Sequence, residues 1–296
     1  MSYDVIILGG SYAGLSAGLP LARARRRVLV IDAGVRRNRF AEASHGFLTQ
    51  DGSPPNEIAA DGRAQLMNYE TVDWAHAEVA QIRRDGQGFI LTDRHGKQYS
   101  ARMLILASGV VDELPGIPGL AERWGTQVFH CPYCHGYELQ QGRIGVIATS
   151  QLSMHHALML PDWGATTLLL NDAFAPSADE LAQLEARGTA LELAQIARLK
   201  DGASVTVELV DGRELSFAGL FVAPRTHISP LVGQLDCEVE DGPLGSFIKT
   251  DATQATSIPG VFACGDIARA AGSVPLAVGD GAMAGVAAHR VLMFGG

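Results

Sequence analysis

Two three-layer α/β domains, the second inserted in the first, are what this sequence of 296 residues predicts. Three observations carry that expectation. The chain opens on a buried strand, Asp4-Val5-Ile6-Ile7-Leu8, that runs into a glycine-rich turn, Gly9-Gly10-Ser11-Tyr12-Ala13-Gly14, and an alanine- and leucine-rich helix. A similar strand, followed by a helix, recurs at Arg143-Ile144-Gly145-Val146-Ile147. Two further apolar runs end on tiny residues, Met103 to Gly109 and Gly260 to Asp266, one on each side of that middle segment. The first domain is therefore expected to be discontinuous, residues 1–113 and 246–296 around an insert of 114–245. The length agrees, exceeding one ordinary α/β core and falling short of three.

Composition narrows the partners. With 23 Lys plus Arg against 32 Asp plus Glu the formal charge is -9, which argues against a nucleic-acid or anionic-membrane surface and leaves small molecules or proteins. No stretch reaches the eighteen or so apolar residues a membrane helix needs, and Met1 leads straight into a strand-like run, so a soluble cytoplasmic protein is expected. Four cysteines are too few for a disulfide-stapled scaffold and turn attention to redox or metal chemistry.

The opening turn has the form of a Rossmann-like dinucleotide site. Gly9 permits the tight turn, Gly14 lets helix and strand pack closely, and the helix start offers free N–H groups and a positive dipole end to a pyrophosphate. Ser11 stands where the middle glycine usually is, and Pro20 falls inside the helix. A second strand, Arg27 to Ile31, ends on Asp32, about twenty residues past the glycines, where a carboxylate can accept from ribose hydroxyls. The runs ending Ala107-Ser108-Gly109 and Gly265-Asp266 resemble the Ala-Thr-Gly turn and the Gly-Asp motif of the two-dinucleotide-binding flavoproteins. That likeness implies FAD, with Asp266 on its ribityl and pyrophosphate part.

The insert opens with Phe129-His130-Cys131-Pro132-Tyr133-Cys134-His135-Gly136-Tyr137-Glu138. A Cys-x-x-Cys spacing closes a small disulfide ring, and one thiol of such a pair commonly has a depressed pKa. A closed zinc site would need four ligands, no second Cys-x-x-Cys exists, and Cys237 and Cys264 are isolated, so redox is favoured and no metal is expected. In order, these motifs resemble the low-molecular-weight thioredoxin reductase family along essentially the whole chain. The resemblance implies that Cys134 sits against the flavin and Cys131 exchanges with substrate, and it implies a homodimer. His135 occupies the position of that family's acid-base aspartate and is expected to titrate near neutral pH. It further implies FAD contacts from Gly10, Ser11, Ala13, Ala33, Asn38, His45, Val79, Pro275 and Leu276. The string from Cys131 to Glu138 resembles one branch, the dithiol oxidases that close the disulfides of gliotoxin, holomycin and romidepsin.

A reductase of this kind needs a second glycine fingerprint for NADPH. Its three small positions here are Ala148, Ser150 and Ser153, each side chain crowding a pyrophosphate, and Asn171-Asp172-Ala173 replaces the family's phosphate-pairing His-Arg-Arg. Asp172 would repel a 2′-phosphate, while the ribose of NAD would find an acceptor in it. Of His155 and His156, about a hundred degrees apart on one helix, at most one can face a site. The expected activity is oxidation of a dithiol, small molecule or protein, through Cys131, Cys134 and FAD, with oxygen as acceptor. The alternatives are a thioredoxin-type disulfide reductase fed by NAD(P)H or ferredoxin, and a flavin-binding regulator without turnover.

Overall fold

The computed structural model describes residues 2–86, 88–200, 202 and 204–295. They form two compact units, one of Met1–Arg39, Phe47–Val111 and Thr226–Gly296, the other of Phe40–Gly46 and Asp112–Arg225.

In the first unit, β1 (Ser2–Leu8), α1 (Tyr12–Arg23) and β2 (Val28–Asp32) make the expected βαβ opening. Next come α2 (Pro55–Met67), β3 (Val72–His76), β4 (Val79–Asp85), β5 (Gly88–Asp93) and β6 (Gln98–Leu106). The sheet order is β3-β2-β1-β6-β5-β4. Strands β1, β2, β3 and β6 run parallel, and the antiparallel pair β4 and β5 lies against the first half of β6. Where β1, β2 and β6 lie side by side, Val5–Leu8, Val28–Ile31 and Met103–Leu106 are apolar and buried throughout, as expected of parallel strands covered on both faces. β7 (Val110–Glu113) then leads into the second unit.

The second unit begins with β8 (Val128–Phe129), α3 (Pro132–His135), β9 (Gln141–Ile147), α4 (Ser153–Met159), β10 (Gly164–Leu169), α5 (Ala178–Arg187) and β11 (Ala190–Glu192). An antiparallel meander follows, β12 (Ile196–Lys200), β13 (Val205–Leu209) and β14 (Glu214–Phe217), and then β15 (Gly219–Val222). Its parallel sheet has the order β11-β10-β9-β15-β8. Alternate residues of β9 serve opposite faces, Ile147 packing with the meander and Ile144 and Val146 with α4. The chain returns along β16 (Arg225–Ile228), which pairs with β7. β17 (Val239–Asp241), β18 (Ser246–Ile248), β19 (Val261–Ala263) and α6 (Val274–Phe294) then complete the first unit. β19 adds to β6 in parallel, Ala263 opposite Leu106.

Two boundaries differ from the sequence expectation. Residues 226–245 fold with the first unit, because Val232, Leu235 and Cys237 are buried with Ile82 and Leu91 and the Gln234 side chain accepts from Ile82 N–H at 2.8 Å. Residues 40–46 belong to the second unit, where Phe40 lies so close to Gly125 that a Cβ there would meet it at 2.6 Å.

Small residues let α6 cross α1 backbone to backbone. A Cβ at Gly281 would stand 2.1 Å from the Ala13 carbonyl oxygen, and one at Gly285 would stand 2.3 Å from that of Ala17. Pro20 fits this crossing, its ring lying beside Gly285; having no N–H it omits the helical bond to the Ser16 carbonyl, and α1 ends three residues later at Arg23. Among the described residues no helix is long and apolar enough to cross a membrane.

Candidate active site

In the first unit, register brings several strand ends to one edge. Leu8 lies opposite both Ile31 and Leu106, and Leu106 opposite Ala263. Backbone bonds continue the ladder into the turns: Gly9 N–H to Ile31 at 2.9 Å, Ala107 N–H to Leu8 at 2.8 Å, Cys264 N–H to Leu106 at 3.0 Å. Gly9 has a φ of 109°, and a Cβ there would sit 2.3 Å from the Ala107 carbonyl oxygen. Gly10 N–H donates to Asp32 Oδ1 at 3.1 Å, which holds that carboxylate at the end of β2. Ser11 is the N-cap of α1 but its hydroxyl makes no capping bond, leaving the first-turn N–H groups of Ala13 and Gly14 to an anion.

The edge thus gathers Gly9, Gly10, Ser11, Ala13, Gly14, Asp32 and Ala107, together with Gly265, whose Cβ would stand 2.9 Å from that of Ala13. Ser108 and Gly109 follow Ala107, and exposed Ala33 follows Asp32. Asn38 donates to the Tyr12 hydroxyl at 3.0 Å. Ala77 N–H bonds the Asp32 carbonyl two residues before buried Val79. Pro275 and Leu276 form the first turn of α6, capped by Ser273. His45 falls in the segment Phe40–Gly46, which groups with the second unit. Two participants carry no local sequence signal. Arg37 Nη1 donates to Asp266 Oδ2 at 2.8 Å, and Trp74 packs against Gly10 with its indole N–H buried and without a partner among the described residues.

In the second unit, Cys131 and Cys134 form a disulfide, with Cα atoms 5.3 Å apart. Pro132, buried at the first helical position, starts α3, Gly136 keeps right-handed helical angles, and a 3-10 turn at Tyr137–Leu139 ends on left-handed Gln140. Gly136 has no room for a side chain, because a Cβ would stand 2.6 Å from the Trp163 ring. Tyr133, exposed beside the disulfide, meets Trp163 edge-on at 5.3 Å. Cys131, Cys134, His135 and Glu138 fall at i, i+3, i+4 and i+7, one stripe of this short helical run. That spacing was the available sequence signal for Glu138.

His135 departs from the sequence expectation. Its ring stacks on Phe129 at 4.4 Å, and burial pushes its pKa down to about 4, with Glu138 opposing and His45 adding to the shift. It is neutral and weakly basic near pH 7. His155 is exposed while His156 is buried against Phe221, and burial lowers its pKa also to about 4. The thiols of Cys237 and Cys264 are both pushed up by burial, as for structural cysteines.

The loop after β9 is closed on itself. Ser153 Oγ accepts from Thr149 N–H at 3.0 Å and Ser150 Oγ from Leu152 N–H at 3.3 Å. Asp172 is bonded by the Gln195 amide, and Asn171 Oδ1 accepts from Ile196 N–H at 2.8 Å.

An α/β edge shaped for a dinucleotide and a solvent-reachable disulfide on a short helix define a flavin-dependent disulfide oxidoreductase. The family described as pyridine nucleotide-disulphide oxidoreductase matches residues 3–281, and the chain belongs to it. Thioredoxin reductase tcpT of Claviceps purpurea (strain 20.1) is 32% identical, over 98% of this chain and 94% of that protein. An oxidoreductase from Agrobacterium tumefaciens matches with TM-score 0.96 at 55% identity, over 99% of both chains. HlmI matches with TM-score 0.93 at 35% identity, over 99% of this chain and 93% of that one. The chain is accordingly an enzyme of the thioredoxin reductase-like flavoproteins, and its cofactor is FAD. The residues present fit that group: crowded glycines leave the edge open to backbone approach, the first turn of α1 has no side-chain cap, and Gly10 N–H holds the Asp32 carboxylate at the end of the next strand.

Proposed function

We propose that this enzyme oxidises a dithiol to a disulfide. The observation that carries the reading is the closed loop of the second unit. Donors that would have to meet a nicotinamide dinucleotide's pyrophosphate are already bonded to Ser150 and Ser153, and Asp172 offers negative charge where a 2′-phosphate would need cations. Electrons then have to come from thiols. A substrate thiolate attacks Cys131 Sγ, the Cys131–Cys134 bond breaks, and Cys134 leaves as thiolate. The substrate's second thiol displaces Cys131, giving the cyclic disulfide and a reduced pair. When bound, FAD would supply a two-electron acceptor for that pair, with oxygen as the terminal acceptor and hydrogen peroxide as its product. Gly9, Gly10, Ser11, Ala13, Gly14, Asp32 and Asp266 hold it in this reading. Free, buried Cys237 and Cys264 suit a reducing compartment, so we place the reaction in the cytoplasm.

The test is an anaerobic titration of the holoenzyme with dithiothreitol, NADPH and NADH in turn, followed by oxygen uptake. Dithiothreitol should bleach the flavin, either nicotinamide at micromolar concentration should leave it yellow, and aerobic turnover should give equimolar disulfide and peroxide. Rapid bleaching by NADPH with negligible dithiol-driven oxygen uptake would identify a disulfide reductase instead.

A homodimer is part of the same proposal, supported by exposed Met283, Val286, Met293 and Phe294 along α6. Sedimentation should give twice the chain mass, and Met283→Lys with Val286→Glu should shift it toward one chain; a wild-type monomer at micromolar concentration removes this part.

A further inference from the structure

Disulfide exchange with a dithiol needs a base, because the attacking species is a thiolate and an alkyl thiol is mostly protonated near neutral pH. His135, beside Cys134, is poorly suited to that task, being stacked on Phe129 and desolvated. The chain brings a second imidazole to the same place. His45 Nε2 lies 3.4 Å from Glu138 Oε1, across 93 positions of sequence, and both groups act electrostatically on His135. His45 is 22% exposed and Glu138 43%, so the pair is reachable from solvent without being freely hydrated. The segment that carries His45 is anchored: its neighbour Ser44 is buried and Phe40 packs at Gly125. Glu138 is fixed from the other side, on the helical stripe that presents both cysteines.

From this juxtaposition we infer that His45 is the proton acceptor of the thiol–disulfide exchange and that Glu138 is its positioning residue. The inference rests on the dithiol-oxidase reading. In the first half of the exchange, the proton of the substrate's attacking thiol moves to His45 Nδ1, the ring nitrogen left basic when Nε2–H faces Glu138, as the new sulfur–sulfur bond to Cys131 forms and Cys134 departs with the electron pair. In the second half, the remaining substrate thiol attacks the substrate sulfur of the mixed disulfide. His45, 22% exposed, first releases its proton to solvent and then takes the remaining thiol's proton as that thiol attacks, and Cys131 leaves as thiolate. The substrate loses two electrons, the cysteine pair gains two, and no further reactant is consumed. The Glu138 carboxylate, facing His45 Nε2 at 3.4 Å, fixes the tautomer and stabilises the imidazolium formed in each half.

The experiment measures anaerobic flavin reduction in rapid mixing, with flavin content and melting temperature checked for each variant. Two dithiols of similar reach are compared, dithiothreitol and the more acidic bis(2-mercaptoethyl) sulfone. With dithiothreitol, His45→Ala should slow reduction on the order of 10²-fold, in the range of general acid–base assistance. With the more acidic dithiol the loss should be about tenfold smaller, because more of it is already ionised. Added imidazole should restore part of the dithiothreitol rate in His45→Ala. Glu138→Gln should slow the wild type about tenfold and add little to His45→Ala, since it acts through His45. Equal losses with both dithiols and no response to imidazole, or a His45→Ala rate equal to wild type, overturns the assignment. Should the wild-type flavin not be reduced by either dithiol, the oxidase reading itself falls, a result separable from any His45 effect. A second comparison guards against a folding defect: His45→Gln keeps size and hydrogen bonding without basicity, and it should behave as His45→Ala does.

Discussion

Cys131→Ser should abolish dithiol-driven oxygen uptake, by a factor on the order of 10³ or more, and so should Cys134→Ser. Either change removes the sulfur–sulfur bond that accepts the substrate's electrons, and no other thiol can replace it, since Cys237 and Cys264 are buried. The two variants should nonetheless differ in colour. If Cys134 is the member that serves the flavin, Cys131→Ser leaves it as a lone thiol able to ionise beside oxidised FAD, and a long-wavelength charge-transfer band should appear. Cys134→Ser should lack that band. Absorbance spectra of both purified holoproteins make the check. A band in Cys134→Ser alone reverses the two roles, and a band in neither denies Cys134 its place. Substantial oxygen uptake by either variant would remove the pair from the mechanism.

What was legible in the sequence was whatever is written locally. Strand, turn and helix at Asp4 to Gly14, the acid at Asp32, and the tiny-residue strand ends at Ala107 and Ala263 each declare themselves within ten residues, because a parallel strand covered on both faces is simply an apolar run. The altered fingerprint at Ala148, Ser150 and Ser153 was equally visible. Only the structure adds that the serines turn back to bond their own loop. Residues 226–245 have no sustained periodicity to mark which unit they join; Val232, Leu235 and Cys237 are buried in one cluster with Ile82 and Leu91, more than 140 positions away. Arg37 with Asp266 and His45 with Glu138 are pairings of the same distant kind. His135 illustrates a different limit. Its place next to Cys134 could be read, but its basicity depends on the Phe129 ring above it, and desolvation is a property of packing.

Gly14→Ala, the addition of one methyl group, should cost the protein its flavin. The new Cβ would stand 1.9 Å from the Gly9 carbonyl oxygen, 3.0 Å from the Gly9 carbonyl carbon and 3.2 Å from Ile7 Cγ2, so the main obstacle is backbone that cannot rotate aside. Relief requires the start of α1 to withdraw from the turn by roughly 1 Å or more, given ordinary carbon–oxygen contact distances. That movement carries the first-turn N–H groups away from the edge where a pyrophosphate would meet them. It is also opposed from behind, because α6 already touches α1 backbone at Ala13 and Ala17. Overpacking of this kind costs about 1–3 kcal/mol or more, here added to weakened cofactor binding, and FAD that binds only the folded chain contributes its own stabilisation. Gly14→Ala should therefore purify nearly colourless and melt well below wild type, with added FAD recovering little of either. Gly212→Ala is the matched control. Its φ is +86° in an open turn with nothing within 4 Å, so it bears only left-handed strain, about 1 kcal/mol, and should stay fully yellow. A Gly14→Ala protein that keeps stoichiometric FAD and the wild-type melting temperature would mean that α1 and the Gly9 turn are not held together as the structure places them, and the assignment of this edge to the cofactor would fall with it.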